Sequence, residues 1–239
     1  MANPFFQFKQ FTVFHDQCVM KVTTDACLFG AWVAKTMSEK NWNDKKMLDI
    51  GTGSGLLALM IAQQNNLFID AVEINALAAE QATQNFYSSP YRDHLKIFHR
   101  NILQFEQRDY DCIVSNPPFY ESELTSPKQE KNVAHHSKEL KWKELIASIN
   151  QKLNPNGIFF LLLPYKRKNE MEILVEANLL FINEIITISQ LNDLSPFRCM
   201  IMGSKKASVI SRSQISIFDD KKQYTPEFVQ LLEDYYLYL

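Results

Sequence analysis

The run Met47-Leu48-Asp49-Ile50-Gly51-Thr52-Gly53-Ser54-Gly55, followed directly by Leu56-Leu57-Ala58-Leu59-Met60-Ile61-Ala62, limits what this chain can fold into more than any other stretch. A short apolar run, three alternate glycines and a second apolar run in succession read as a buried strand, a tight turn and a helix. Glycines allow backbone conformations closed to other residues and let a ligand approach the main chain. The amides at the helix start and the helix dipole then favour a negative group on that ligand, such as a carboxylate or phosphate. A second strand over 68–72 ends at Glu73. An acidic side chain about 20 residues past the glycines, at a strand's carboxyl end, is placed to accept hydrogen bonds from both hydroxyls of a ribose. An adenosine-bearing ligand is the shared implication. The nicotinamide fingerprint wants Gly or Ala three residues after the second glycine, and Leu56 stands there, which weakens the dinucleotide reading.

The alternation continues along the chain. Helices are predicted over 76–86, 140–153 and 171–180, and strands over 95–99, 110–114, 158–163, 184–189 and 198–202, with a turn at Asn154-Pro155-Asn156-Gly157. Strands alternating with helices predict an α/β fold with a doubly wound, mostly parallel sheet, whose ligands bind at the carboxyl ends of the strands. Gly51 to Gly55, Glu73, Asn101 with Ile102, and Asn116 all fall at that edge. Upstream, residues 5–22 alternate irregularly between aromatic and polar, with Phe8, Phe11, Val13 and Val19 as expected buried positions of a short strand or hairpin lid. Thr23-Thr24-Asp25 then caps a helix carrying Cys27, Leu28, Trp32 and Val33, and the free amides around Thr24 are candidates to meet an anion. Residues 226–239, rich in Leu and Tyr, read as a closing amphipathic helix. With no repeat or low-complexity linker, one domain over 1–239 is expected: a lid and helix over 1–45, and the core with its final helix over 46–239.

Composition removes several classes of function. At 239 residues and 46% hydrophobic content the chain can bury a large core, and it lacks the basic-then-apolar opening of a secretory signal. The most continuous apolar stretch, 158–163, is far too short to cross a bilayer. Cys18, Cys27, Cys112 and Cys199 are scattered among apolar neighbours, which fits reduced thiols in a cytoplasm. The one histidine cluster, His135-His136, is a poor zinc site because adjacent residues seldom point at one ion, so no metal is expected. Net charge is −2, yet Lys128, Lys131, Lys138, Lys141 and Lys143, then Lys166-Arg167-Lys168, then Lys205-Lys206, concentrate positive charge. Such runs are solvated faces or contacts to an acidic partner.

The chemistry is carried by Ser115-Asn116-Pro117-Pro118-Phe119, which ends the strand over 110–114. Two prolines fix their φ angles and lack N–H groups, so they stop the strand and stiffen the turn. Asn116 offers a carbonyl that can accept from an amino group, and Phe119 a flat face for stacking. The pair suits a planar amine.

Taken in order, Asp49-Ile50-Gly51-Thr52-Gly53-Ser54-Gly55, Glu73 and Asn116-Pro117-Pro118-Phe119 resemble the class I S-adenosylmethionine-dependent methyltransferases, a Rossmann-like family. The Asn-Pro-Pro-aromatic motif is similar to that of members that methylate exocyclic or amide nitrogens. The stretch from Phe14 to Ala26, with Gly30-Ala31-Trp32, and the later Tyr224-Thr225-Pro226-Glu227 and Tyr235-Tyr236-Leu237, resemble the bacterial transfer-RNA (valine) adenine-N(6) methyltransferases. The resemblance spans nearly the whole chain. It implies S-adenosyl-L-methionine as cofactor, held by Thr24, Asp49, Gly51, Thr52, Gly53, Gly55, Glu73, Asn101 and Ile102, with Asn116, Pro117, Pro118 and Phe119 as catalytic residues. It implies an enzyme acting on the adenine 3′ of the anticodon of a valine tRNA; a cytoplasmic monomer is expected. Many relatives carry an acidic residue where this chain has Asn101; an amide oxygen still accepts a hydrogen bond from the cofactor's adenine, with weaker affinity expected. Guanine-N(2) methylation of ribosomal RNA, glutamine methylation of a protein, and cofactor and RNA binding without catalysis are the alternatives. Intact Asn116 argues against the last.

Overall fold

The computed structural model describes residues 3–40, 42, 44–117 and 141–239. Strands β1 (Phe5–Gln7) and β2 (Thr12–Phe14) form an antiparallel hairpin in which Phe6 faces Val13. The main sheet contains β3 (Lys46–Ile50), β4 (Phe68–Glu73), β5 (Leu95–His99), β6 (Tyr110–Ser115), β7 (Leu153–Pro164), β8 (Phe181–Leu191), β9 (Arg198–Ser204) and β10 (Ser211–Phe218). Its order is β10-β8-β9-β7-β6-β3-β4-β5, and every pairing is parallel except those of β9 with β7 and β8. The α/β, mostly parallel doubly wound sheet is the one the sequence implies.

The sheet is buried on both faces, which is why its central strands read as continuous apolar runs. Met47, Cys112, Val114, Phe160 and Leu162 point to one side, where they meet α1 (Thr24–Glu39), α2 (Leu56–Gln64) and α6 (Pro226–Leu232), with Phe86 of α3 (Ala76–Tyr87). Leu48, Ile113, Phe159, Leu161 and Leu163 point to the other, against α4 (Trp142–Lys152) and α5 (Lys168–Ala177). Among the described residues no helix is long and apolar enough to cross a membrane, and no group of three or more His, Cys, Asp or Glu could hold a metal ion. All four cysteines are buried as free thiols.

Several expectations need correction. The predicted final helix stops at Leu232. Tyr235 and Tyr236 both donate their N–H to the carbonyl of Leu232, and the chain turns so that Tyr236 bridges to Phe8 while the Tyr235 hydroxyl donates to the Met60 carbonyl, 3.0 Å away. Their apolar character serves this return and not another helical turn. The Asn154–Gly157 turn lies inside β7 as an excursion: Tyr110 pairs with Leu153 but Cys112 with Ile158, and Asn154 Oδ1 accepts from the Asn156 N–H at 2.9 Å. Strand β10 goes unpredicted because Ser211, Arg212, Ser213 and Gln214 are all exposed at the sheet's edge. Phe8, Phe11 and Val13 are buried as expected, whereas Val19 is 74% exposed.

Candidate active site

The sheet order reverses between β3 and β6. From β3 the chain winds outward through β4 and β5; from β6 it winds the other way through β7. The crevice at the carboxyl ends of strands flanking such a reversal is where doubly wound sheets bind ligands. Register fixes what reaches it. Ile50 pairs with Val72 on one side and Ser115 on the other, so Gly51, Glu73 and Asn116 emerge side by side. Glu73 in turn pairs with His99, two residues before Asn101.

The three glycines of the turn serve two different purposes. Gly51, Gly53 and Gly55 all have positive φ (70°, 55° and 83°), which other residues rarely adopt. A Cβ added at Gly51 or Gly53 would meet no atom within 4 Å, so these two border open space. At Gly55 it would lie 2.4 Å from Cε1 of Phe86, so this glycine lets α2 pack against α3. The turn is bound to Glu73 directly. Oε2 of Glu73 accepts from the Gly53 N–H at 2.9 Å and Oε1 from the Asn75 N–H at 2.8 Å. Two backbone donors thus fix the carboxylate's plane, and each oxygen keeps a lone pair for a ligand hydroxyl.

Asp49 lies beneath the turn with no solvent exposure. Its Oδ2 accepts from the Thr52 hydroxyl at 2.6 Å, while Oδ1 is buried and accepts no hydrogen bond among the described residues. Burial pushes its pKa up to about 7; the Thr52 hydroxyl opposes the shift and the Glu73 carboxylate adds to it. A buried acceptor of this kind fits a ligand that brings a cationic donor. Asn116 repeats the pattern. Its Oδ1 is also buried and without a donor among the described residues, at the end of a strand tied to β3 by the Ser115 hydroxyl, which donates to the Ile50 carbonyl at 2.8 Å. Two orphaned acceptors, a carboxylate and an amide, therefore flank the crevice beside an open glycine turn. This set of acceptors fits S-adenosylmethionine, which carries an ammonium group and two ribose hydroxyls, next to a second ligand that carries an amine.

The other expected site residues divide. Asn101 caps the 3-10 turn Ile102–Gln104 through Oδ1, which accepts from the Leu103 N–H at 2.9 Å, so that oxygen is already partly engaged; Ile102 is buried beneath it. Thr24 opens α1. Pro117 is buried behind Asn116, whereas Pro118, Phe119, His135-His136 and the lysines at 128, 131 and 138 lie outside the described residues. Sequence reasoning missed Asn85, which is 1% exposed. Its Nδ2 donates to the Ser54 and Phe14 carbonyls, both at 2.8 Å, and its Oδ1 accepts from the Phe14 N–H, joining the glycine turn to the hairpin. An asparagine beside Phe86 on the packed side of a helix is the signal that could have marked it.

The family described as "Methyltransferase small domain" matches residues 30–181. A protein of Dyadobacter fermentans named "tRNA1(Val) (adenine(37)-N6)-methyltransferase" is 39% identical over 98% of each chain. Proteins of the same name from Parabacteroides distasonis and Cytophaga hutchinsonii are 33% and 38% identical, over 99% and 100% of each chain. Among solved structures, one described as a "predicted O-methyltransferase" from Agrobacterium tumefaciens covers 88% of this chain and 96% of its own at a TM-score of 0.66 and 14% identity. A ribosomal protein L11 methylase from Lactobacillus delbrueckii covers 73% and 78% at 0.52 and 18%. These two likenesses concern the fold.

Proposed function

The chain belongs to the methyltransferase small domain family, and within it to the bacterial proteins named tRNA1(Val) (adenine(37)-N6)-methyltransferase; from that membership we propose that it methylates the exocyclic nitrogen of the adenine 3′ of the anticodon in a valine tRNA. It is an S-adenosylmethionine-dependent tRNA adenine-N(6) methyltransferase, and the valine tRNA and a monomeric state are the finer parts of the reading. The observation that carries it is the buried Oδ1 of Asn116, which has no donor among the described residues, beside the open glycine turn.

S-adenosylmethionine supplies an electrophilic methyl group on a sulfonium. Glu73 would accept from its ribose hydroxyls and Asp49 would meet its ammonium, while Gly51 and Gly53 leave room for a ligand to approach the backbone. The adenine amino nitrogen is a poor nucleophile because its lone pair is delocalised into the ring. Asn116 Oδ1 accepts one of its hydrogens and the Pro117 carbonyl the other, which favours a pyramidal nitrogen with its lone pair turned toward the methyl group. Phe119 supplies a stacking face. Holding the reacting atoms at ~3–3.5 Å provides much of the acceleration. As the new C–N bond forms the methyl–sulfur bond breaks, the electron pair staying with the departing thioether, and the nitrogen becomes more acidic, so its proton leaves to solvent without a strong base. Removing the target base from its stack costs least in a single-stranded loop.

The test is transfer of labelled methyl groups from S-adenosylmethionine to total RNA of a strain lacking this protein, followed by nucleoside analysis. N(6)-methyladenosine in a valine tRNA is the expected product. Label in another tRNA corrects only the specificity; label in guanosine or in protein replaces the substrate; cofactor binding with no label in any fraction refutes the catalytic reading.

A further inference from the structure

Beside the catalytic crevice lies a surface that the chemistry above does not use. Strand β7 runs past the end of β6: Ser115 pairs with Leu161, and β7 continues to Pro164 before the 3-10 turn Tyr165–Arg167 begins. At ~3.3 Å per residue this turn sits roughly 10 Å beyond the level of Asn116, on the adjacent strand and at the same sheet edge. It is firmly held. The Tyr165 N–H donates to the Phe197 carbonyl at 3.1 Å, and Pro164 pairs with Arg198, whose Nε lies 2.8 Å from Oδ2 of Asp25.

The turn opens onto a cleft of about 430 Å³ lined by Tyr165, Lys168, Thr187, Arg212 and Gln214, over a sheet edge that leaves Arg212 and Gln214 exposed. Its chemistry is cationic with one aromatic face. Lys166, Arg167 and Lys168 follow Tyr165, which is 36% exposed. Glu172 lies between Lys168 Nζ and Arg212 Nη2, at 3.4 and 3.3 Å, and Glu170 pairs with Arg167 at 2.7 Å. Those carboxylates neutralise part of the charge, and they also orient guanidinium and ammonium groups that keep further donors for another acceptor. Leaving Lys166 aside, Arg167, Lys168 and Arg212 are three cations against these two carboxylates among the described residues, on a chain whose net charge is −2.

We infer that the Tyr165–Lys168 segment and Arg212 form a second contact surface for the RNA strand flanking the target adenine, with the Tyr165 ring stacking on a neighbouring base and Lys168 and Arg212 meeting its phosphates. This rests on the RNA-methylating reading above. Stacking platforms interleaved with cations are how proteins hold single-stranded nucleic acid, and an acidic peptide would have no use for the exposed ring. The surface explains how a loop is held while one base enters the crevice.

The experiment measures steady-state kinetics on tRNA at two salt concentrations, with S-adenosylmethionine affinity by calorimetry, for the wild type and four variants. Tyr165→Ala raises KM for tRNA about tenfold with kcat and cofactor affinity unchanged, and Tyr165→Phe restores it. Arg212→Ala raises KM and lowers the slope of log affinity against log salt by about one. Glu172→Gln, which removes the competing carboxylate, lowers KM, a direction that a merely structural role does not give. If the wild type methylates tRNA and all variants keep its KM, the surface is not an RNA contact. Loss of kcat or cofactor affinity along with KM makes these residues structural and also overturns the inference. A KM change confined to an acidic protein substrate assigns the surface to that partner instead. If the wild type labels no RNA, the functional reading fails first, before any variant is compared.

Discussion

Asn116→Ala separates folding from catalysis because the structure predicts that the two respond differently. Oδ1 of Asn116 is buried and accepts no hydrogen bond among the described residues. An unpaired buried acceptor costs about 1–3 kcal/mol, a penalty that truncation removes. The small void left behind opposes this with ~1 kcal/mol or more, so the net change in stability is close to zero. For a chain of this size 1 kcal/mol moves Tm by about 2–4 °C, and the variant's Tm should stay within roughly 4 °C of the wild type. Catalysis has no such compensation. Losing one preorganised polar contact to the reacting group costs about 10²–10³ in kcat, or roughly 2.7–4 kcal/mol of barrier. The assay is single-turnover methylation of tRNA at saturating cofactor, beside thermal unfolding and calorimetric cofactor binding. A loss of turnover under about tenfold would refute the assigned role, and a fall in Tm beyond ~8 °C would make Asn116 a structural strand end.

Three further perturbations test the rest of the crevice. Glu73→Gln is expected to weaken cofactor binding by about 10–100-fold, the scale of a charged hydrogen bond, while the variant stays folded; unchanged affinity by calorimetry would remove Glu73 from the ribose site. Asp49 has a raised pKa of about 7 in the fold, so the folded chain holds this proton to higher pH than the unfolded chain. Its contribution to stability is therefore lost as pH rises from about 4 toward 7, whereas cofactor affinity is expected to rise over the upper part of that range as the carboxylate proposed to meet the ammonium ionises; Asp49→Asn flattens both profiles, and parallel wild-type and variant profiles would contradict the assignment. Gly55→Ala forces a Cβ to 2.4 Å from Phe86 at φ +83°, and should lower Tm by roughly 4–12 °C, partly recovered by adding Phe86→Leu.

Where local chemistry decides structure, this sequence is readable. The apolar runs before and after Gly51–Gly55 can only be buried strand and helix, and Glu73 and Asn116 come to the crevice because parallel register leaves them little choice. What was missed depends on distant partners. Ser211–Gln214 carry no strand signal of their own and pair because β8 presents an edge to them. Nothing local to Arg198–Ser204 says that β9 runs antiparallel between β7 and β8. Val19 has the hydropathy of a core residue but sits on the loop that leads to α1, outside the packed layers. Asn85 is polar on a packed face, and its meaning appears only once Ser54 and Phe14 are seen around it.

The bridge between Phe8 and Tyr236, with the Lys9 N–H on the Tyr235 carbonyl at 2.8 Å, sets a schedule for synthesis. Phe8 leaves the ribosome long before its partner exists, and closing so long a loop must wait until Tyr236 has been made. Until then the hairpin has only part of its support, Asn85 holding Phe14 while Phe6 and Phe8 lack the ring of Tyr236. A nascent chain therefore carries the glycine turn and Asn116 before the hairpin tied to that turn through Asn85 has its full support, and modification of RNA is expected to await synthesis of Tyr235 and Tyr236.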